Sequence, residues 1–253
     1  MLVLLAVIAA AVSRLGHLGH TTDVLIASAR AVAQLAVVAL VLVAIVESFV
    51  LSLLFVASMF AVASWTAGRR MVKTRAAWWA AVPVGVGAVP VVALLLIAGV
   101  VPLEGIAVVP IAGILIGGAM TGTALAGRRA LESLTDRHGE YEAGLALGLL
   151  SRDAALEICR PAAALGLVPA LDQTRTVGLV ALPGAFVGTL LGGASPVEAG
   201  AVQVLILVAL LAVQTLAILA TTELVARGIL VSGHAVHVDR AARPRPAKKP
   251  DLT

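Results

Sequence analysis

The sequence predicts an all-α, polytopic transmembrane protein with about seven spans, and three observations lead to this fold class. The 253 residues are 60% hydrophobic and only 13% charged, with a mean hydropathy of +1.06. A soluble domain carries about twice that charged fraction. Apolar runs of membrane-spanning length recur along the chain, and most charged residues lie in the segments between them.

Seven apolar segments are candidate spans, of which the first is the shortest. They cover residues 1–13, 24–46, 49–66, 76–101, 105–126, 176–193 and 199–225. Pro83 and Pro90 predict kinks in the fourth span. The stretch 162–193 is too long for one perpendicular helix at about 1.5 Å per residue. We therefore expect a short interfacial helix before the sixth span, which carries Pro183.

The distribution of charge predicts the orientation. Basic residues cluster in three places: Arg69, Arg70, Lys73 and Arg75; Arg128, Arg129, Arg137, Arg152 and Arg160; and Arg227, Arg240, Arg243, Arg245, Lys248 and Lys249. The intervening short loops carry only Glu47, Glu104 and Glu198. By the positive-inside rule, the second basic loop and the C-terminus are expected in the cytoplasm, and the N-terminus outside. Residues 233–253 are expected to form a disordered basic tail near the anionic membrane surface. The net charge of +4 does not point to nucleic acid as a partner.

One polar insert, residues 140–161, stands out in this apolar chain and is called the elbow here. Its first part is predicted to be helical and to end at Gly148 in the left-handed conformation. Ser151 is expected to cap a second helix, with Asp153 in its first turn. Pro161 should stop or bend that helix at the residue before it. The product is a compact helical elbow with an acidic and apolar surface; the alternative is an ordinary loop that folds back on itself.

The spacing within the elbow resembles the EAA loop of ABC-transporter permeases. The matching residues are Glu142, Ala143 and Gly144, then Gly148 after three residues, Ile158 after nine more, and Pro161. Gly144 and Arg160 depart from the pattern, which has Ala and Leu there. The resemblance implies that these six residues couple the chain to a separate ATPase subunit.

The chain lacks the residues that would make it an ATPase itself. No GxxxxGK[ST] phosphate loop and no HExxH motif are present. We expect no cofactor bound by this chain, with ATP and Mg²⁺ bound by the partner ATPase. His17 and His20 are too few for a firm metal site, so a solvated loop is the favoured interpretation. Cys159 is the only cysteine and excludes an intrachain disulfide.

Two spans carry rows of glycine. Gly113, Gly117, Gly118 and Gly122 lie in the fifth span, and Gly184, Gly188 and Gly192 in the sixth. Such rows let helix backbones approach closely. We interpret the first row as packing within the chain and leave open whether the second meets another copy of it.

A few polar residues at membrane depth are candidates for a gate or pathway. They are Arg30, Gln34, Met120, Thr121, Thr123, Asp172, Arg175 and Gln203. The alternative is that the charged ones are interfacial residues and that Gln203 is interhelical glue. Arg175 lies one helical turn from Asp172 and should pair with it, which disfavours a fixed high-affinity metal site there. We expect weak, transient handling of a cation by Met120, Thr121, Thr123 and Gln203, with the pair as a cytoplasmic gate; the metal ligands remain unknown.

Longer stretches resemble the FetB-like family of iron-export ABC permeases, which is related to plant aluminium-tolerance permeases. They are SARAVAQL (28–35), VPIAGILIGGAM (109–120), EAGLALG (142–148) and LVPALDQTRTVGLVALPGAFVGTLLGGASPVEA (167–199). Gly118 and Thr189 depart from the family pattern. The resemblance implies a permease domain over residues 1–232, with a coupling loop at 127–161.

The resemblance also implies a homodimer that works with an ABC-type ATPase in the plasma or inner membrane. Its expected function is export of iron or a related metal ion. The alternatives are ABC export of another small solute, or an ATPase-independent secondary transporter or membrane scaffold.

Overall fold

The computed structural model describes residues 1–45 and 48–230, and its regular secondary structure in those ranges is helical. The α-helices are α1 (Leu2–Leu15), α2 (Thr21–Ile45), α3 (Phe49–Met71), α4 (Ala81–Ile97), α5 (Gly105–Asp136), α6 (His138–Ala146), α7 (Ser151–Ala164), α8 (Val168–Thr176), α9 (Gly184–Leu191) and α10 (Pro196–Ala226). Two 3₁₀ segments, Arg75–Ala80 and Leu165–Leu167, precede α4 and α8. The predicted all-α class is confirmed, while the predicted tail at 233–253 lies outside the described residues.

The chain divides into two compact units, residues up to Ser52 and residues from Leu53 onward. In the first unit α1 packs against α2 through a turn in which His17 has a positive φ of 51°. The second unit contains most of α3 and all the later helices, including the elbow.

The second unit is an up-and-down bundle whose helix directions follow from close glycine contacts. Gly113 of α5 packs on Met59 of α3. Gly127, later in α5, packs on Met71, later in α3, so the two helices run parallel. Gly118 and Gly122 of α5 meet Leu210 and Gln214 of α10. That second pair of contacts makes α10 parallel to α5. The interpretation of the fifth-span glycines as packing residues agrees with these contacts for Gly113, Gly118 and Gly122, but a methyl group on Gly117 would meet no atom within 4 Å.

Helices α4 and α7 run in the opposite direction through the same core. Gly85 of α4 lies against Phe60 of α3, and Gly68 lies against Ala77, so α4 returns antiparallel to α3. In α7 the Cys159 Sγ lies 3.9 Å from the carbonyl oxygen of Ala130 in α5. The basic loop after α3, the end of α5, the elbow and the end of α10 consequently share one end of the bundle. The loop before α5 and the start of α10 lie at the other end.

Six helical segments in the described chain are long and apolar enough to cross a membrane. They are Thr21–Leu42, Phe49–Met71, Arg75–Ile97, Gly105–Asp136, Ser151–Thr176 and Pro196–Ala226. The apolar α1, with 14 residues, is a shorter seventh. This inventory is consistent with about seven spans.

The predicted sixth span at 176–193 is wrong, however. Helix α8 ends at Thr176, and α9 has only 8 residues, or about 12 Å of helix, against a hydrocarbon core of about 30 Å. Gly178 has φ 80° and the segment up to Pro183 is not helical. The span-length segment is instead Ser151–Thr176, which absorbs the predicted interfacial helix.

The sequence predicts that the second helix of the elbow stops or bends before Pro161; the stop is wrong, because α7 continues to Ala164. Pro161 removes one backbone hydrogen bond, but it lies on the exposed face of the helix. The opposite face is held by burial of Cys159 and Ala163, both at most 1% exposed, and by contact of Gly166 with Ala126. Tertiary packing therefore overrides the local preference of the proline.

Candidate functional site

The elbow is a helix–turn–helix unit whose turn depends on one glycine. Gly148 has φ 91°, and its N–H donates to the carbonyl of Leu145 at 3.0 Å. The next N–H, of Leu149, donates to the carbonyl of Gly144 at 3.1 Å. These two bonds end α6, so the prediction of a left-handed Gly148 is confirmed.

The second helix of the elbow begins at Ser151 without the predicted side-chain cap. Leu150 occupies the N-cap position, and its carbonyl accepts from the N–H groups of Asp153 and Ala154, each at 2.9 Å. The prediction that Ser151 caps this helix is wrong because the helix already includes it. Asp153 lies in the first turn, as predicted.

A small apolar core fixes the elbow to the end of α10. Its buried members are Tyr141, Ala154, Ala155, Leu156, Ile158 and Ala226. Gly144 belongs to the same contact, because a methyl group added there would lie 3.2 Å from the Cβ of Ala154. Two residues of the EAA-like spacing, Gly144 and Ile158, are therefore internal. The other four, Glu142, Ala143, Gly148 and Pro161, are exposed.

An ionic fork joins the elbow to α10 beside this core. Arg152 donates from Nε and Nη2 to the two carboxylate oxygens of Glu223, at 2.6 and 2.8 Å. Arg227 donates to the same carboxylate at 2.6 Å, and Arg152 also contacts Asp153 at 2.9 Å. Glu223 is only 27% exposed, and two-point Arg–carboxylate contacts fix orientation as well as distance. Movement of the elbow must therefore move the end of α10.

The outer surface of the elbow is apolar at its turn and charged beside it. Leu147 and Leu150 are 85% and 73% exposed. Glu142 lies 3.3 Å from the Nε2 of His138. Arg137 donates to Glu140 at 2.7 Å, and this hydrogen bond lowers the pKa of the Glu140 carboxyl. The elbow is attached to α10 and presents two exposed leucines and acidic groups, a surface that is suited to contact with another protein.

The three candidate pathway residues of α5 point in different directions. Met120 is half-buried against the bundle core. Thr121 is exposed, and its hydroxyl donates to the carbonyl of Gly117 at 3.0 Å. Thr123 is fully buried, and within the described residues its Oγ1 has no hydrogen-bond partner. The structure does not gather these three side chains into one polar site.

Asp172 and Arg175 form an exposed pair in α8. The distance from Nη1 to Oδ1 is 3.6 Å, and the side chains are 61% and 71% exposed. They lie near the end of the Ser151–Thr176 segment, not at the start of a span as predicted. About 30 Å of helix separates Asp172 from Ser151, where this segment begins beside the turn of the elbow, so the pair lies far from that turn.

Gln203 has a structural partner at the opposite end of the bundle from the elbow. It is 5% exposed, and its Oε1 accepts the N–H of Phe186 at 3.2 Å. This bond ties the start of α9 to α10. In α9 a methyl group on Gly184 or Gly188 would meet no atom within 4 Å, so these glycines are not packed by the rest of the described chain.

The remaining candidates, Arg30 and Gln34, lie in α2 of the first unit and are both exposed. Nowhere in residues 1–45 and 48–230 do three or more His, Cys, Asp or Glu side chains come close enough to hold a metal ion. The described residues thus contain a well-defined elbow but no concentrated cation site.

The contact between Arg152 and Glu223 could not be predicted from the sequence. The two residues are 71 positions apart, and no local pattern links them.

Comparison with known proteins identifies the family. The model of "Uncharacterised protein family (UPF0014)" matches residues 1–230. The chain is 35% identical to "UPF0014 membrane protein STAR2" of Oryza sativa subsp. japonica, over 85% of this chain and 77% of that protein. It is 33% identical to "Protein ALUMINUM SENSITIVE 3" of Arabidopsis thaliana, over 88% and 82% respectively.

A bacterial relative carries a more specific description. The chain is 30% identical to "Probable iron export permease protein FetB" of Escherichia coli (strain K12), over 91% of this chain and 90% of that protein. No solved structure matches the chain. With membrane-length apolar helices and a family match over residues 1–230, this chain is an integral membrane protein that belongs to the UPF0014 family.

Proposed function

We propose that this chain is the membrane permease subunit of an ABC transporter and that a separate ATPase docks on the elbow. The similarity to the probable iron export permease FetB, over 91% of this chain, supports the assignment. The observation that carries the proposal is the construction of the elbow. Its EAA-like spacing falls on a unit with a buried core, an ionic fork to α10 and an exposed leucine turn.

The elbow end of the bundle is assigned to the cytoplasm. The bundle contacts bring the basic loop after α3 and the arginines at the end of α5 to this end, and Arg227 lies there too. Glu104 and Glu198 lie at the opposite end. The positive-inside rule then places the elbow where a cytoplasmic ATPase reaches it.

Coupling between the ATPase and the membrane helices depends on the attachment of the elbow to α10. When the ATPase subunits close on ATP, they displace α6 and the leucine turn. Because Arg152 and the apolar core bind the elbow to α10, that displacement is transmitted to a helix that packs along α4 and α5. Rigid-body movement of α10 would then alternate access to the two sides of the membrane.

The proposed cargo is iron or a related metal ion, and the proposed assembly is a homodimer. Charged Asp172 and Arg175 are exposed in a span-length segment, where contact with lipid would be costly. A second copy across a hydrated pathway would remove that cost. Transport would then rely on transient polar contacts, in keeping with the scattered positions of Thr121, Thr123 and Gln203.

Reconstitution tests the proposal. The chain is purified together with a candidate partner ATPase, inserted into vesicles and supplied with ATP and Fe²⁺. We expect ATP-dependent movement of Fe²⁺ that stops when the ATPase is omitted. Movement of another solute with no movement of Fe²⁺ would retain the ABC assignment and reject iron. Transport that proceeds without any ATPase, or a chain that binds none, would favour the secondary-transporter or scaffold alternatives.

A further inference from the structure

The last turns of α3, the loop after it and the 3₁₀ segment Arg75–Ala80 concentrate aromatic and basic residues that the proposed transport cycle does not use. All three tryptophans of the chain are here, as Trp65, Trp78 and Trp79, together with Arg69, Arg70, Lys73 and Arg75. These seven residues are called the Trp–Arg cluster. They lie at the elbow end of the bundle, next to the contact between Met71 and Gly127.

The backbone that carries the cluster is tightly packed against the bundle. A methyl group on Gly68 would come within 1.9 Å of the carbonyl oxygen of Ala77, so the two backbones are in direct contact. Val72, Ala77 and Ala80 are at most 2% exposed. Burial of these residues therefore fixes the backbone of the turn between α3 and α4, to which the polar side chains are attached.

The three tryptophan side chains are exposed, and the rings of two of them lie close together. Trp65, Trp78 and Trp79 are 41%, 57% and 52% exposed. The rings of Trp65 and Trp78 lie 4.9 Å apart at 44°. Within the described residues none of the three indole N–H groups donates a hydrogen bond, although tryptophan at a membrane interface normally finds an acceptor at the headgroup level.

In residues 1–45 and 48–230 the four cations form no ion pair with a group of opposite charge. No Asp or Glu occurs between Glu47 and Glu104. None of the ion pairs in the described chain includes Arg69, Arg70, Lys73 or Arg75. Arg69 lies over the Trp65 ring at 5.4 Å and donates to the carbonyl of Lys73 at 3.3 Å. One arginine is thus positioned by an aromatic face, with three further cations beside it.

We propose that the Trp–Arg cluster is a binding site for the phosphate headgroup of anionic phospholipids. Trp65 precedes Arg69 by four residues, or about 6 Å of helix, so the ring is attached one helical turn nearer the middle of α3 than the guanidinium. The rings contact the upper acyl chain and their N–H groups face ester carbonyls. The cations take the phosphate, as clusters of four or more Lys and Arg beside a membrane helix do. The site holds the start of α4 at a fixed depth while α10 moves.

The tryptophans make the site directly observable, because the tryptophan fluorescence of the chain, excited selectively over that of Tyr141, arises only from the cluster. The 253-residue chain is reconstituted in vesicles that contain dibrominated phosphatidylglycerol or dibrominated phosphatidylcholine, whose bromines quench contacting rings. We expect phosphatidylglycerol to occupy the site at least about fivefold more strongly than phosphatidylcholine. That preference corresponds to the attraction of a single cation to an anionic surface, about 1 kcal/mol.

Two triple variants separate a specific site from net charge. In Arg70→Gln/Lys73→Gln/Arg75→Gln the preference should fall to about one, with the same emission spectrum in pure phosphatidylcholine showing that the rings remain in place. The matched control, Arg243→Gln/Arg245→Gln/Lys248→Gln, removes three cations from the C-terminal segment and should retain the preference. Equal loss in both variants, or no preference in the unmodified chain, would overturn the proposal.

A final arm distinguishes a lipid from a soluble anion. Inorganic phosphate in large excess should leave the preference for phosphatidylglycerol unchanged, because the rings and the acyl chain contribute to binding. If free phosphate abolishes the preference, the cluster binds a soluble phosphate and the lipid assignment is wrong.

Discussion

Replacement of Gly148 tests whether the geometry of the elbow turn controls coupling. Its φ of 91° is in the left-handed region, and a Cβ there would meet no atom within 4 Å. The cost of a substitution is therefore conformational and not steric. Alanine should destabilise the turn by about 1–2 kcal/mol, which lowers the population of the native elbow relative to distorted ones by a factor of about 5–30. Valine should cost more because its Cβ is branched, whereas asparagine tolerates this region.

The assay is ATP hydrolysis by the partner ATPase, with and without each permease variant, in vesicles of equal permease content. Stimulation should fall in the order unmodified, Gly148→Asn, Gly148→Ala, Gly148→Val, with membrane insertion unchanged. Gly139→Ala is the matched control, because Gly139 is exposed in α6, has no positive φ and should accept alanine without loss. Equal stimulation by all variants, or asparagine as damaging as valine, would refute the reasoning.

Three further predictions follow from the charges. Glu223→Gln should leave ATPase binding intact but reduce cargo moved per ATP hydrolysed, because the elbow loses its ionic attachment to α10; an unchanged ratio would remove the fork from the mechanism. In a cysteine-free background, a cysteine at Arg70 should react only with reagent admitted to the cytoplasm and one at Glu104 only from outside, and the reverse pattern would invert the orientation. Asp172→Asn should impair transport more than the charge-swapped Asp172→Arg/Arg175→Asp variant; equal impairment would mean that the pair itself is unimportant.

Local chemistry was sufficient to predict the all-α class and much of the elbow. Composition gave the class, and the need for positive φ at a helix end identified Gly148. The class depends on the composition of the whole chain, and the glycine turn depends on one residue and its immediate neighbours, so neither requires knowledge of contacts between distant residues.

The errors arose where distant packing decides the structure. Pro161 predicts a helix end, but burial of Cys159 and Ala163 against α5 carries the helix onward. Because the helix continues, the span-length segment is Ser151–Thr176 and not 176–193. The apolar stretch after it forms only the short helix α9, which is hydrogen-bonded to Gln203. The fork between Arg152 and Glu223 was likewise invisible, since it depends on the direction in which α7 and α10 meet.

The central claim is that the elbow is the surface on which an ATPase docks. A photo-crosslinking residue in place of Leu147, which is 85% exposed at the turn, tests it directly. Leu103, 65% exposed at the opposite end of the bundle, is the matched control position. After irradiation in intact membranes, the account predicts that position 147, and not position 103, captures a protein that mass spectrometry identifies as an ATPase with a GxxxxGK[ST] phosphate loop. Capture of that ATPase at position 103 alone, or at neither position while ATP-driven transport is measurable, would contradict the account.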